Sequence, residues 1–263
     1  MAYEAMSFEV RDNIAWVTFN RPDALNAINA QATHEFYDIV NRISGDRSVR
    51  CVVLTGSGDR AFCAGGDVAE FQAKGDGVEA LVREMTGVLH VGISRLAWLP
   101  APVIAAVNGV AAGAGLSFAA CCDLAICADT AKFTSAYTHI GLTPDGSSTF
   151  FLTRLLGRRR VMELYMTNRV LSAQEAVDWG LINRVVPAAE LMDEVTKLAT
   201  QLANGPTRAY AGVKKLVMMS PNDTLESQME RETRIIAEMT QTKDAREGID
   251  AFVAKRKAKF TGE

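Results

Sequence analysis

Two glycine-rich segments of the 263-residue chain could bind a negatively charged oxygen through main-chain N–H groups. Residues 61–67 read Ala-Phe-Cys-Ala-Gly-Gly-Asp, and residues 108–117 read Asn-Gly-Val-Ala-Ala-Gly-Ala-Gly-Leu-Ser. Small residues let amides approach a ligand closely, and the first amides of a helix have no internal acceptor. Two such donors on one oxygen form an oxyanion hole, in which each contributes about 2.7–4 kcal/mol in the transition state. A tight turn in a packed core is the alternative interpretation of each segment.

A third segment, residues 140–148, contains Asp145 in the context Ile-Gly-Leu-Thr-Pro-Asp-Gly-Ser-Ser. A carboxylate can move protons in catalysis. An aspartate between Pro and Gly is also a natural turn or helix N-cap residue, a role that contributes about 1 kcal/mol. From these residues alone the structural role of Asp145 is favoured.

Other motifs that carry chemistry are incomplete or absent. The Gly113-x-Gly115 pair lacks the third glycine of a dinucleotide-binding loop, and no acidic residue follows a strand at the expected spacing. The sequence contains no Walker A, GxSxG or HExxH motif. Its histidines, His34, His90 and His139, are not spaced as metal ligands. We therefore predict no metal site and no nucleotide phosphate loop.

Strands and helices are predicted to alternate up to residue 148, and helices dominate beyond it, which indicates an α/β core followed by a helical region. The predicted strands are 8–10 and 14–20 (a hairpin), 51–55, 103–107, 124–127, 132–133 and 183–186. The predicted helices are 31–43, 77–96, 113–121, 150–156, 158–166, 173–179, 188–204, 207–218, 225–239 and 244–257. Ser172 and Glu175 form a capping-box signature. The predicted division is a core over residues 1–200 and a helical C-terminal region over residues 201–263.

Composition favours a packed intracellular protein. The chain is 48% hydrophobic with a formal charge of −3, whereas dedicated nucleic-acid binders are strongly basic. Its five cysteines include no CxxC pair, which is typical of reduced thiols in the cytoplasm. Residues 96–122 carry no charge and could span a bilayer by length, but prolines, glycines and an asparagine interrupt them. We expect a buried strand, a turn and a buried helix there, and no membrane association.

Taken together, the motifs resemble the crotonase (enoyl-CoA hydratase/isomerase) superfamily over essentially the whole chain. The matching segments are 20–27 (Asn-Arg-Pro-Asp-Ala-Leu-Asn-Ala), 61–67, 102–109 (Pro-Val-Ile-Ala-Ala-Val-Asn-Gly), 171–181 (Leu-Ser-Ala-Gln-Glu-Ala-Val-Asp-Trp-Gly-Leu) and 255–260 (Lys-Arg-Lys-Ala-Lys-Phe). The resemblance implies a spiral of ββα units and an acyl-CoA substrate, with CoA as part of the substrate and no further cofactor. It also implies trimers that pair into hexamers through the helical C-terminal region, which could act as a lid. It places the oxyanion donors at the amides of Ala64 and Ala114.

The resemblance also implies which residues contact the substrate. Tyr137 and His139 could line the acyl pocket or simply pack on a strand face. Lys255, Arg256, Lys257 and Lys259 form a basic cluster that could meet CoA phosphates, although a solvated helix face is the commoner explanation. Asp67 is expected to fix its loop or cap a helix. The implied substrate and CoA contacts are Ala24, Ala27, Phe62, Ala64, Gly65, Asp67, Lys257 and Phe260.

The side chains favour isomerisation within this family. Hydratases of the family hold a water between two glutamates, and the corresponding positions here are Ser117 and Tyr137. The context of Asp145 resembles the isomerase branch, in which an aspartate moves protons while an oxyanion hole holds the dienolate. An apolar surround from Phe150, Phe151 or Leu142 would raise the pKa of such a carboxyl. We therefore predict an enoyl-CoA isomerase of fatty-acid or aromatic-compound catabolism.

Three alternatives remain open at this stage. A hydratase could use a misaligned carboxylate such as Glu79 or Glu84. The related 4-chlorobenzoyl-CoA dehalogenases pair an aspartate matching Asp145 with a histidine matching His90. Here, however, Tyr137 replaces their tryptophan, and a half-buried structural histidine is the favoured interpretation of His90. The third alternative is a non-catalytic protein that binds CoA esters or RNA, although the net charge counts against RNA.

Overall fold

The computed structural model describes residues 3–263, which form ten strands and eleven α-helices. The strands are β1 (Met6–Arg11), β2 (Ile14–Phe19), β3 (Cys51–Gly56), β4 (Ala61–Cys63), β5 (Val103–Val107), β6 (Val110–Ala112), β7 (Leu124–Ala128), β8 (Lys132–Thr134), β9 (Leu171–Ser172) and β10 (Arg184–Val186). The helices are α1 (Ala30–Gly45), α2 (Val68–Lys74), α3 (Val78–Ala97), α4 (Ala114–Cys121), α5 (Ser148–Leu156), α6 (Arg158–Thr167), α7 (Ala173–Trp179), α8 (Leu191–Ala203), α9 (Thr207–Met219), α10 (Leu225–Met239) and α11 (Lys243–Val253).

The strands form two sheets. The larger has the order β1-β2-β3-β5-β7-β10, with β1 and β2 antiparallel and the other pairs parallel. The smaller has the order β4-β6-β8-β9, and only its β8-β9 pair is antiparallel. The parallel pairing of β4 with β6 brings the two glycine-rich segments side by side at the ends of these strands. The smaller sheet therefore positions the candidate oxyanion donors.

The inner strands of the larger sheet are buried on both faces, which explains their nearly continuous apolar runs. Val52 and Leu54 of β3 point into the main core, together with α1, α3 and α4. Their neighbours Cys51 and Val53 point to the opposite face, where α8 covers them. This alternation follows from the two-residue period of a strand. The sheet is therefore a rigid layer between two groups of helices.

Two basic side chains attach the C-terminal helices to this core. Arg50 donates to the carbonyls of Gly205 at 2.5 Å and Phe260 at 3.3 Å. Lys214 of α9 lies 2.6 Å from the Asp123 carboxylate and donates to Ala101 O at 3.0 Å. Burial raises the pKa of Asp123, and Lys214 opposes that effect. The positive charge of Lys214 on α9 therefore favours the ionised form of the Asp123 carboxyl.

Most of the predicted elements are confirmed, including the initial hairpin and the capping box of α7. The short elements β4, β6, β9 and α2 were not predicted from the sequence. The last helix ends at Val253, not at residue 257. Among the helices of residues 3–263, none combines the length and apolar character needed to cross a membrane.

Candidate active site

The two glycine-rich segments touch backbone to backbone at the start of α4. A Cβ added to Gly115 would lie 1.9 Å from Cys63 O, so only glycine fits there. Gly65 has a φ of +102°, and a Cβ on it would lie 3.4 Å from Ala114 N. This packing brings residues 64–66 next to the first amide of α4. The predicted convergence of the two segments is therefore present.

The predicted oxyanion donor at Ala64 has an internal partner in this structure. Its N–H donates to Leu25 O at 3.0 Å, so the amide is already used inside the fold. Leu25 has a φ of +52°, and this left-handed turn presents its carbonyl to the 61–67 segment. Ala64 N–H would have to give up this bond before it could bind a substrate oxygen.

Gly66 offers the free amide in this segment instead. A parallel bridge pairs Ile28 with Gly66: Ile28 N–H donates to Gly65 O at 2.7 Å, and Asp67 N–H donates to Ile28 O at 2.9 Å. In a parallel bridge the central residue directs its own N–H away from that partner, towards the other side. Gly66 N–H has no acceptor among residues 3–263.

Ala114 supplies the second free amide. It is the first residue of α4, where helical geometry provides no acceptor, and its N–H is unpaired within the described part of the chain. The positive end of the helix dipole lies at the same point. Ala114 is 5% exposed, so a charge there would be screened little by solvent. The N-terminus of α4 can therefore stabilise an oxyanion.

The Asp145 carboxylate is held by Tyr137. The phenol donates to Asp145 Oδ1 at 2.6 Å, while Asp145 Oδ2 has no hydrogen-bond partner in residues 3–263. Burial, followed by the nearby Asp145 charge, raises the pKa of Tyr137 well above its usual range. Tyr137 therefore remains a protonated donor, and Oδ2 is the carboxylate oxygen free to take a proton.

Tyr137 also connects Asp145 to the start of α4. A Cβ on Gly113 would lie 3.8 Å from the Cζ atom that bears the phenol oxygen. Gly113 immediately precedes the free amide of Ala114, so the phenol end of Tyr137 lies beside the start of α4 and also binds the carboxylate. The candidate base and the candidate oxyanion donor are thus brought together.

The loop that carries Asp145 rests on two serines. Ser117 Oγ donates to Asp145 O at 3.1 Å, and Ser148 donates to the same oxygen from Oγ at 2.9 Å and from N at 3.1 Å. Tyr165 donates to Ser148 Oγ at 2.9 Å. The sequence indicated Ser117 only as a missing glutamate and gave no indication of Ser148 or Tyr165. No motif marks a serine at the first position of α5 or a tyrosine on α6 as a support for the Asp145 loop.

His90 lies beside the same loop, but not as a half-buried residue. It is exposed on α3, and its Nε2 accepts a hydrogen bond from Gly146 N–H at 3.1 Å. The expectation of a half-buried histidine is therefore wrong, because His90 projects from the helix towards the Asp145 loop. His139 is exposed.

A cavity of about 740 Å³ adjoins His90 and Asp145. Its apolar wall is formed by Trp98, Phe150, Phe151, Met218 and Met219. Of the predicted apolar surround of Asp145, Phe150 and Phe151 therefore line the same cavity, whereas Leu142 is exposed and does not. A larger cavity of about 890 Å³ lies between α1, α9 and α10, and Asp145 is not among its lining residues.

The predicted CoA contacts fall into two groups. Ala24 and Ala27 lie beside the 61–67 segment, where Arg21 donates to Ala27 O at 2.7 Å and binds the Asp67 carboxylate at 2.8 Å. Asp67 caps α2 by accepting from Glu70 N–H at 3.2 Å, as expected. The Phe62 side chain is fully buried against Phe19, so any contact of this residue with substrate would be made by its backbone.

The predicted tail contacts lie apart from Asp145. Lys257 is exposed, and Phe260 packs against Gly248 within the same chain. The basic cluster is partly neutralised, because Arg256 forms ion-paired hydrogen bonds to Glu247 at 2.6 and 2.8 Å. Residues 3–263 contain no group of three His, Cys, Asp or Glu side chains arranged for a metal ion.

Comparison with known proteins identifies close relatives along the whole chain. A family model described as enoyl-CoA hydratase/isomerase matches residues 9–263. The chain is 37% identical over 255 residues to the 1,2-epoxyphenylacetyl-CoA isomerase of Escherichia coli K12, covering 97% of both. It is 39% identical over 230 residues to 4-chlorobenzoyl coenzyme A dehalogenase-2 of an Arthrobacter species, covering 87% of this chain and 83% of the relative. An enoyl-CoA hydratase structure from Bacillus anthracis superposes with a TM-score of 0.93 at 31% identity, covering 99% of this chain and 100% of that one.

Proposed function

The chain belongs to the enoyl-CoA hydratase/isomerase family, and we propose that within it the protein moves the double bond of a 3-enoyl-CoA thioester to the 2-position. The predicted crotonase-type fold is confirmed by the structural neighbours. The relatives carry different reactions, so the choice of reaction rests on the side chains. The observation that carries the proposal is the Asp145 carboxylate, which binds the Tyr137 phenol next to Gly113, the residue before the free amide of Ala114.

In the proposed mechanism the thioester oxygen accepts hydrogen bonds from Gly66 N–H and Ala114 N–H. Asp145 Oδ2 removes a proton from C2. The electron pair of the C2–H bond moves into a dienolate, whose negative charge is centred on the thioester oxygen. The carboxyl then returns the proton to C4, which forms the 2-enoyl product. One carboxylate serves both proton transfers, so the isomerisation needs no second substrate.

The structure gives no support to the hydratase alternative through a misaligned glutamate. Glu79 is bound by Arg83 one turn later on the exposed face of α3, and Glu84 lies 3.4 Å from His34. Both carboxylates are largely solvent-exposed, and neither lines the cavity at Asp145. Ser117 and Tyr137 occupy the positions of the hydratase glutamates and cannot act as carboxylate bases. Hydration therefore lacks the pair of groups that would activate a water.

The unmodified protein provides the first test. We expect it to isomerise 3-enoyl-CoA faster than it hydrates 2-enoyl-CoA, followed by chromatography of the thioesters. With substrate deuterated at C2, single-turnover product should carry part of the label at C4, because one carboxyl carries the proton between the two carbons. Faster hydration would reject the proposal in favour of the hydratase alternative. Tight binding of acyl-CoA without turnover would favour the non-catalytic alternative.

Replacing Tyr137 by phenylalanine should lower kcat of isomerisation roughly 10-fold with little change in KM, because the variant deletes one hydrogen bond to a charged carboxylate. The ring that packs over Gly113 is retained, so the fold should be unaffected. Stopped assays of Tyr137→Phe beside Tyr210→Phe, a tyrosine on α9, measure the effect. Equal activity of the two variants would remove Tyr137 from the site.

A second candidate function is hydrolytic dehalogenation of a chlorinated aroyl-CoA. The favouring observation is that His90 and Asp145 line one cavity, since the sequence analysis required both residues for that reaction. Release of chloride from 4-chlorobenzoyl-CoA, in the absence of 3-enoyl-CoA isomerisation, would establish this candidate over the first.

We also propose that the chain assembles as a homotrimer or hexamer through the C-terminal region, residues 201–263. Large apolar side chains of this region are exposed in the single chain, which is a common mark of an interface. They are Val213, Val217, Leu225, Met229, Ile236, Ile249, Phe252 and Val253. In such an assembly the exposed lysines of the tail could reach the CoA phosphates of a neighbouring subunit.

A further inference from the structure

The peptide unit between Asp145 and Gly146 is held at both of its polar ends. Its carbonyl oxygen accepts hydrogen bonds from Ser117 and from Ser148, as described above. Its N–H, which belongs to Gly146, donates to His90 Nε2 at 3.1 Å. The plane of this peptide contains the Cα of Asp145, so holding the plane fixes the point from which the carboxylate side chain projects. Movement of the plane would carry that side chain with it.

We propose that His90 is a positioning residue, which holds the Asp145–Gly146 peptide through Nε2 and takes no part in proton transfer. This inference rests on the proposed isomerase function. A ring nitrogen that accepts a hydrogen bond carries no proton, so the form of His90 that makes this bond has its proton on Nδ1. The Nε2 lone pair is occupied by Gly146 N–H. It is therefore not available to remove a proton from substrate or water while the loop is in place.

The helix that carries His90 is well suited to hold the loop. On α3 the neighbouring residues Leu89 and Ile93 are buried at 4% and 2% exposure. A Cβ on Gly92 would lie 2.9 Å from the Phe36 ring, so α3 lies unusually close to α1 at this turn. The histidine is therefore attached to a part of the helix that cannot shift easily.

The loop itself needs an external acceptor for its amide. Gly146 and Ser147 have φ values of +59° and +66°, two consecutive left-handed residues ahead of α5. A Cβ on Gly146 would lie 3.0 Å from Ser117 Cβ, so the loop lies directly on α4. Gly146 is buried, and a buried amide without an acceptor is destabilising, which favours a hydrogen-bond acceptor at this point. His90 supplies that acceptor.

The experiment compares His90→Gln with His90→Leu in the isomerase assay. A glutamine amide oxygen can accept the Gly146 hydrogen bond but cannot act as a base at neutral pH, and leucine can do neither. We expect His90→Gln to keep kcat within about 3-fold of the unmodified protein and His90→Leu to lose roughly 10-fold, with KM nearly unchanged in both. A loss of about 10²-fold or more in both variants would instead identify His90 as a proton-transfer base and overturn the inference.

A second measurement does not depend on the reaction. Nitrogen-15 NMR of the unmodified protein should find His90 protonated on Nδ1 alone, and Gly146 N–H should be protected from hydrogen exchange. Protection should persist in His90→Gln and fall at least 10-fold in His90→Leu. A proton on Nε2 would overturn the inference even if isomerase activity is absent. Conversely, absence of isomerisation with the expected NMR result would reject the proposed function and leave the positioning role supported.

Discussion

Replacing Asp145 by asparagine is expected to lower kcat for 3-enoyl-CoA isomerisation by about 10²–10⁴-fold, the usual contribution of a positioned acid–base group. Asparagine has the same shape, so Tyr137 can still donate to its side-chain oxygen and the loop can keep its contacts with Ser117 and Ser148. What is lost is the oxygen that takes the proton from C2. The assay is isomerisation at saturating substrate, with KM expected to change little.

The control for this substitution is Asp178→Asn, which makes the same chemical change on the exposed surface of α7, remote from the cavity. That variant should keep the activity of the unmodified protein. Both variants should have the same melting temperature within a few degrees, since the backbone carbonyl at 145 still accepts from Ser117 and Ser148 and the asparagine oxygen can still accept from Tyr137. Near-normal turnover in Asp145→Asn would remove the carboxylate from the mechanism and with it the choice of isomerase over the other reactions.

The centre of the larger sheet could be predicted from the sequence because its inner strands are buried on both faces and carry apolar runs. Residues 51–55 and 103–107 are examples, in which alternate side chains enter the two cores. Strand β4 could not be found in the same way. Its three residues pair only with β6, a contact between segments about fifty positions apart, and no local pattern encodes that pairing.

The candidate site was predicted at the level of segments but not of atoms. Both oxyanion segments and Asp145 were identified from residue types, and the structure brings them together. Which amide of residues 61–67 lacks an internal acceptor could not be predicted, because that depends on the bridge between Ile28 and Gly66 and on the bond from Ala64 to Leu25. The left-handed turn at Leu25, which uses the Ala64 amide, has no clear signature at a leucine.

The serine at position 117 illustrates why a substitution cannot be interpreted from one position. From the sequence, Ser117 is only the position at which a hydratase glutamate is missing. In the structure Ser117 is fully buried and supports the Asp145 loop, and the close approach of Gly146 leaves little space for a longer side chain. The loop that carries Asp145 and a glutamate at position 117 therefore compete for the same volume. The absence of one carboxylate and the placement of the other are linked by packing.

Backbone ester substitutions should show which of the amides at positions 64, 66 and 114 bind the thioester oxygen. Incorporating the α-hydroxy analogue of alanine at 114, or of glycine at 66, replaces a single N–H by oxygen without changing a side chain. Each ester is expected to lower kcat by about 10²–10³-fold, as for loss of one oxyanion-hole donor. The enolate charge develops in the transition state, so KM for the thioester should change much less than kcat.

The matched control is the same ester at Ala64, whose N–H is bonded to Leu25 O. Each ester also makes the carbonyl of the preceding residue a weaker hydrogen-bond acceptor. This effect is common to all three variants. At position 64 the ester should lower the free energy of unfolding by about 1 kcal/mol through the lost hydrogen bond, and kcat should remain nearly unchanged. A large loss of kcat at 64, with normal turnover at 66, would mean that the Leu25 bond breaks when substrate binds and that Ala64 is the donor. Normal turnover of the ester at 114 would reject the proposed oxyanion hole, since the Ala114 amide is the donor that the sequence and the structure both identify.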